Sequence, residues 1–185
     1  MKKHGPWKIK SSTIKYKNKW ISVHEDQVIR PDGNPGIFGI VEMVPGVSIL
    51  PMDEEGNIYL TKEFKYAVGK NSIEVFSGAI DKGESPLKAA KRELKEELGC
   101  IAKNWIKLGK MDPFTSVVFS PANLFLAEDL SFTNTAFEGT EIITHIKLPL
   151  TKAVQMVMDS KITHGQSCVL ILKAWNYLNG VSDKL

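Results

Sequence analysis

Arg92-Glu93-Leu94-Lys95-Glu96-Glu97 sets three carboxylates and a guanidinium in one short stretch. Positions three and four apart on a helix are neighbours, so Glu93, Glu96 and Glu97 would form one ridge. Carboxylates this close repel and raise one another's pKa unless a cation lies between them. Hard oxygen donors with room for water and phosphate oxygens suit Mg²⁺, with Mn²⁺ as the alternative.

The ridge needs an element to hold it. Leu87, Ala90, Leu94 and Leu98 recur at three- and four-residue intervals and predict the core stripe of a helix. The carboxylates fall roughly 100° round from that stripe, so they border the core instead of facing fully outward. Ser85 and Pro86 predict the N-cap and first turn, and Gly99 the stop. A Glu/Lys-rich helix is most often only a solvated face. That reading leaves unexplained a spacing that runs across loop and helix together, from Gly78 through Glu84 to Gly99.

This spacing resembles the Nudix box, Gly-x5-Glu-x7-Arg-Glu-U-x-Glu-Glu-x-Gly-U, with U a bulky apolar residue. Gly78, Glu84, Arg92, Glu93, Glu96, Glu97 and Gly99 fill the fixed positions, and Leu94 the first U. Cys100 stands where an aliphatic residue is usual, a small hydrophobe in its place. The resemblance extends to the ADP-ribose pyrophosphatase branch. Lys62-Glu63-Phe64-Lys65 and Glu74-Val75-Phe76-Ser77-Gly78 stand where that branch has Lys/Gln-aromatic-Arg and Glu-x-Pro-Ala-Gly. Lys65 replaces the usual Arg, which substitutes a point charge for a bidentate fork. Phe76-Ser77 replaces Pro-Ala. Met111-Asp112-Pro113 resembles the branch's proline marker, two residues early and with Phe114 in place of glycine.

The resemblance implies an α/β/α sandwich with an N-terminal antiparallel β extension, residues 1–45, ahead of a hydrolase domain, 46–185. It implies Mg²⁺ held by Glu93, Glu97 and the Ser77 carbonyl, with Glu96 supporting a further ion. Arg92 would brace the box through carboxylates such as Glu84. Lys65 and Glu74 would serve the substrate, and Trp20 and Phe38 would clamp a nucleobase across a dimer; for both aromatics, ordinary strand packing is an equal alternative. The general base would be Glu141, with Glu138 in reserve. The implied reaction splits the diphosphate of a nucleoside diphosphate sugar in a homodimer with exchanged N-terminal strands. Its rivals are a Nudix enzyme for nucleoside triphosphates, dinucleoside polyphosphates or RNA caps, a non-catalytic nucleotide-sugar sensor, and an interaction module.

Composition sets the frame. A chain of 185 residues, 43% apolar and 24% charged, has the profile of a globular protein able to bury its own core. A net charge of +3 without a basic run argues against nucleic acid. Two cysteines, Cys100 and Cys168, in no metal or redox spacing fit a reducing compartment. No apolar run follows Met1-Lys2-Lys3, and none approaches a membrane span, so the expectation is a cytoplasmic chain without a leader. The apolar and turn pattern predicts three N-terminal strands, six further strands and, besides the box helix, helices over 151–159 and 166–178.

Overall fold

The computed structural model describes residues 1–133 and 144–180. They form two compact units: Met1–Pro45 with Asp112–Pro121, and Gly46–Met111 with the described part of 122–185.

The first unit is a sheet of β1 (Lys2–His4), β2 (Trp7–Lys17), β3 (Ile21–Ile29), β4 (Pro35–Met43) and β10 (Val118–Phe119), in that spatial order. Its first four strands run antiparallel; β10 adds to β4 in parallel, Val118 opposite Val41. Sequence patterning anticipates three strands here. The short β1 and β10 carry too few residues to show a period, and the pairing of segment 112–121 with β4 is non-local. The turn at Asp32-Gly33 has Gly33 at φ 86°, and Asn34 N–H donates to Asp32 Oδ1 at 2.9 Å.

The second unit contains β5 (Gly46–Pro51), β6 (Asn57–Lys65), β7 (Lys70–Glu74), β8 (Phe76–Ala79), β9 (Cys100–Met111), β11 (Ala122–Phe132) and β12 (Thr144–Pro149). Its helices are α1 (Pro86–Leu98), α2 (Leu150–Met158) and α3 (Gly165–Leu178). One sheet has the order β8-β5-β11-β9, the other β12-β6-β7. The β5–β11 pair is parallel and central, and both of its faces are buried. Val47, Ile49, Phe125 and Ala127 pack with Ala90, Leu94 and Leu98 of α1. Leu50, Leu124 and Leu126 pack on the opposite face with Ala153 of α2 and Leu170, Ile171 and Ala174 of α3. The side-chain period of two on each strand thus divides one apolar run between two helical layers, an α/β/α sandwich. Leu87, in the first turn of α1, is 39% exposed, and Ala89 is buried instead. Among the described residues no helix is long and apolar enough to cross a membrane.

Candidate active site

Helix α1 begins where its chemistry predicts. Ser85 is extended, its Oγ accepts the Lys88 N–H at 3.3 Å, and Pro86 occupies the first turn. Gly99 ends the helix in the left-handed region at φ 62°, its N–H donating to Lys95 O. Between these ends Arg92 gathers the carboxylates. Its Nη2 lies 3.0 Å from Glu84 Oε2 and its Nε 3.3 Å from Oε1, a two-pronged grip. Its Nη1 donates to Glu93 Oε1 at 2.7 Å and Glu96 Oε2 at 3.2 Å, and Nη2 also reaches Ala79 O at 3.0 Å. Arg92 therefore ties helix, glycine loop and strand end together.

The facing wall comes from the strands. Alternation on β6 turns Thr61, Glu63 and Lys65 to one face, and the register sets Glu74 of β7 opposite Thr61. With Val75, Ser77 and Glu97 these residues line a cavity of about 160 Å³. Lys65 Nζ bonds Glu63 and stands 3.9 Å from Glu74 Oε2. His164 Nδ1, just ahead of α3, is 3.5 Å from Glu74 Oε2. Close packing of α1 on β8 depends on Gly78, since a Cβ there would fall 1.9 Å from Glu93 Cδ.

Glu93 and Glu97 are only partly buried, and burial still shifts them. Burial, then the neighbouring Glu93, pushes the Glu97 carboxyl up to about 7, against a lowering influence of the Ser77 backbone. Burial also raises Glu93, partly offset by Arg92. Glu84 is held below the usual carboxylate range by its bonds to Arg92. Burial works to lower Lys65 and is outweighed by Glu63 and Glu74, so the ammonium is firmly charged. A raised carboxyl in a polar cleft with a specific charge partner is a functional-site candidate.

The donors fit a hard divalent cation. Glu93 and Glu97 are carboxylates whose mutual repulsion such an ion would relieve, and glycine at 78 leaves the space that Glu93 fills. Among the described residues no three His, Cys, Asp or Glu side chains converge as a closed cage. Mg²⁺ characteristically takes one or two carboxylates and completes its shell with water and phosphate oxygens.

The structure brings together Lys65, Glu74, Ser77 and Glu97 at the cavity, and Arg92, Glu84, Glu93 and Glu96 beside it. Glu141 and Glu138 lie outside the described residues. Trp20 and Phe38 belong to the first unit and stand apart within it. Trp20 directly precedes Ile21, which pairs with Met43, whereas Phe38 pairs with Asp26. Five to six residues along a strand are roughly 15–20 Å, so one unit does not close both rings on one base. Trp20 is 58% exposed with Lys19 Nζ 4.3 Å from its ring centroid, and the turn before it is held by Asn18 Oδ1, which accepts the Trp20 and Ile21 N–H groups. Phe38 meets Trp7 edge to face at 5.7 Å. Glu63, His164 and Ser167 are given no site role by the sequence. Alternation from Lys65 back along β6 would have found Glu63; His164 and Ser167 arrive from about ninety residues away and leave no local signal.

The chain belongs to the Nudix family: the NUDIX domain matches residues 43–153, and the nucleoside diphosphate sugar hydrolase N-terminal domain matches residues 7–41. Within that family it is an ADP-ribose pyrophosphatase-like diphosphatase. It is 30% identical to the ADP-ribose pyrophosphatase of Bacillus subtilis (strain 168) over 84% of this chain and 85% of the relative. It is 32% identical to the ADP compounds hydrolase NudE of Escherichia coli (strain K12) over 70% of each chain. It is also 25% identical to the methanol dehydrogenase activator of Bacillus methanolicus, over 88% of this chain and 89% of that one. A crystal structure of an ADP compounds hydrolase superposes over 100% of both chains with a TM-score of 0.83 at 19% identity, a likeness of fold.

Proposed function

We propose that this enzyme hydrolyses the diphosphate linkage of a nucleoside diphosphate sugar such as ADP-ribose, releasing nucleoside monophosphate and sugar phosphate. The observation that carries the reading is the cavity in which Glu97, Ser77 and Lys65 meet, an acidic wall facing an ammonium held by Glu63. The relatives that act on ADP-ribose and ADP compounds support the substrate class, as does the N-terminal domain match.

Glu93, Glu97 and the Ser77 carbonyl would hold Mg²⁺, or Mn²⁺ in its place, with Glu96 supporting a further ion. A bound ion of this kind neutralises phosphate charge, polarises the phosphorus and lowers the pKa of water. Lys65 meets a phosphate oxygen as a point charge, and Glu74 and Glu63 fix its ammonium. Arg92 holds the carboxylates in place and does not touch substrate. Glu141 takes the proton of the attacking water while the phosphorus–oxygen bond to the departing phosphate breaks, with Glu138 as reserve. The protein works as a cytoplasmic homodimer whose exchanged N-terminal strands bring Trp20 of one chain and Phe38 of the other to the base.

Incubation with ADP-ribose, ADP-glucose, GDP-mannose and UDP-glucose in the presence of Mg²⁺ tests the reading by chromatography of the products. Nucleoside monophosphate is expected from at least one, ADP-ribose first. Calorimetric binding without any product would instead make the protein a sensor.

A further inference from the structure

We propose that the first turn of α3 positions the Ser77 carbonyl for the metal, with Ser167 and Gln166 as the positioning residues. The inference rests on the metal-bearing reading above and adds residues from the far end of the chain to it.

Val75 is the link between two sheets. Glu74 ends the pairing of β7 with β6, and Phe76 opens the pairing of β8 with β5, so Val75 itself is in neither ladder. A buried N–H outside a ladder needs another acceptor. The Val75 N–H donates to Ser167 Oγ at 2.9 Å. Ser167 is fully buried, and its hydroxyl also meets His164 Nδ1 at 2.8 Å. The neighbouring Gln166 reaches β5, its Oε1 accepting the Ser48 hydroxyl at 2.7 Å. Ser48 is fully buried and directly opposite Ser77.

These two contacts bracket Ser77, one two residues before it and one across the sheet. Opposed residues of an antiparallel pair exchange both backbone bonds or neither. The Gly78 carbonyl is turned toward β5, lying 3.2 Å from where a Cβ on Gly46 would stand, so the next position, Ser77, turns its N–H and C=O away from β5. Strand β8 is four residues long and lies at the sheet's edge. That edge leaves the carbonyl free for an ion, and also leaves no neighbouring strand to hold its projection. Ser167 and Gln166 supply the restraint from the other side.

The test is Mn²⁺ binding by electron paramagnetic resonance on the full chain without substrate, alongside steady-state kinetics. Loss of a group that orients a ligand costs about 10- to 100-fold in metal affinity. Ser167→Ala is expected to weaken Mn²⁺ binding about tenfold, while KM for the nucleotide at saturating metal moves less than twofold. Ser167→Thr, which keeps the hydroxyl, restores the affinity. If Ser167→Ala fails to fold, Gln166→Ala decides, with at least a threefold loss expected. Mn²⁺ affinity equal to wild type in the deciding variant overturns the inference and leaves the hydrolytic reading standing. Wild-type protein that binds no Mn²⁺ overturns the metal reading, and this inference with it.

Discussion

Gly78→Ala isolates one side chain without touching the helix that carries it. Gly78 is not among the glycines with positive φ, so alanine fits its backbone. The added Cβ would stand 1.9 Å from Glu93 Cδ, 2.0 Å from Oε1 and 2.5 Å from Cγ. Carbon atoms in contact settle near ~3.5–4.0 Å, so the carboxylate must withdraw by roughly 1.5–2 Å. Because the obstacle is the end of a flexible side chain, the fold should accommodate it. The stability cost is then the Arg92–Glu93 bond of 2.7 Å, while Arg92 keeps Glu84. A charge-assisted bond at this partly solvated position contributes about 1 kcal/mol, a shift of about 2–4 °C in Tm for a chain of this size. Function should suffer far more. A displacement of about 1 Å at a reacting centre costs about 10²-fold, so kcat/KM should fall by at least that factor, about 2.7 kcal/mol at 1.36 kcal/mol per decade. Nucleoside monophosphate release and a thermal melt on the same preparation give both numbers. A variant with kcat/KM within threefold of wild type would refute the claim that Gly78 exists to admit Glu93.

Three other outcomes are expected. The Glu97 carboxyl titrates at about 7 when folded against its ordinary 4.5, so its stabilising contribution is complete below pH ~4.5 and is lost as pH rises through ~7. The Tm of metal-free wild type should therefore drop from pH 5 to pH 8 relative to Glu97→Gln, and Mg²⁺ should restore it at pH 8; parallel curves for the two proteins would count against the shift. Trp20→Ala should raise KM more than it lowers kcat, because stacking binds ground and transition states alike, and light scattering should report a dimer; a fully active monomer would end that idea. Glu141→Gln should lower kcat by about 10²–10⁴ with Mg²⁺ affinity retained if Glu141 is the base, and an unaffected kcat would pass the role to Glu138.

The box could be read before any folding was known because it is a local object. Spacing on one helix decides which carboxylates are neighbours, and a serine, a proline and a glycine decide where that helix begins and ends. The same locality explains why the helices and most strands follow from apolar period and turn residues. What sequence could not decide is what faces the ridge. Val75 divides one apparent strand, Ile73 to Phe76, between two sheets, and only long-range pairing shows the break. Ser167 meets Val75 across 92 residues and Gln166 meets Ser48 across 118. Hydrogen bonds at such separations are created by packing of α3 against the sheet, not by any preference of neighbouring residues. The rise of Glu97 to about 7 has the same origin, since burial is its largest cause and burial is a property of the folded chain alone.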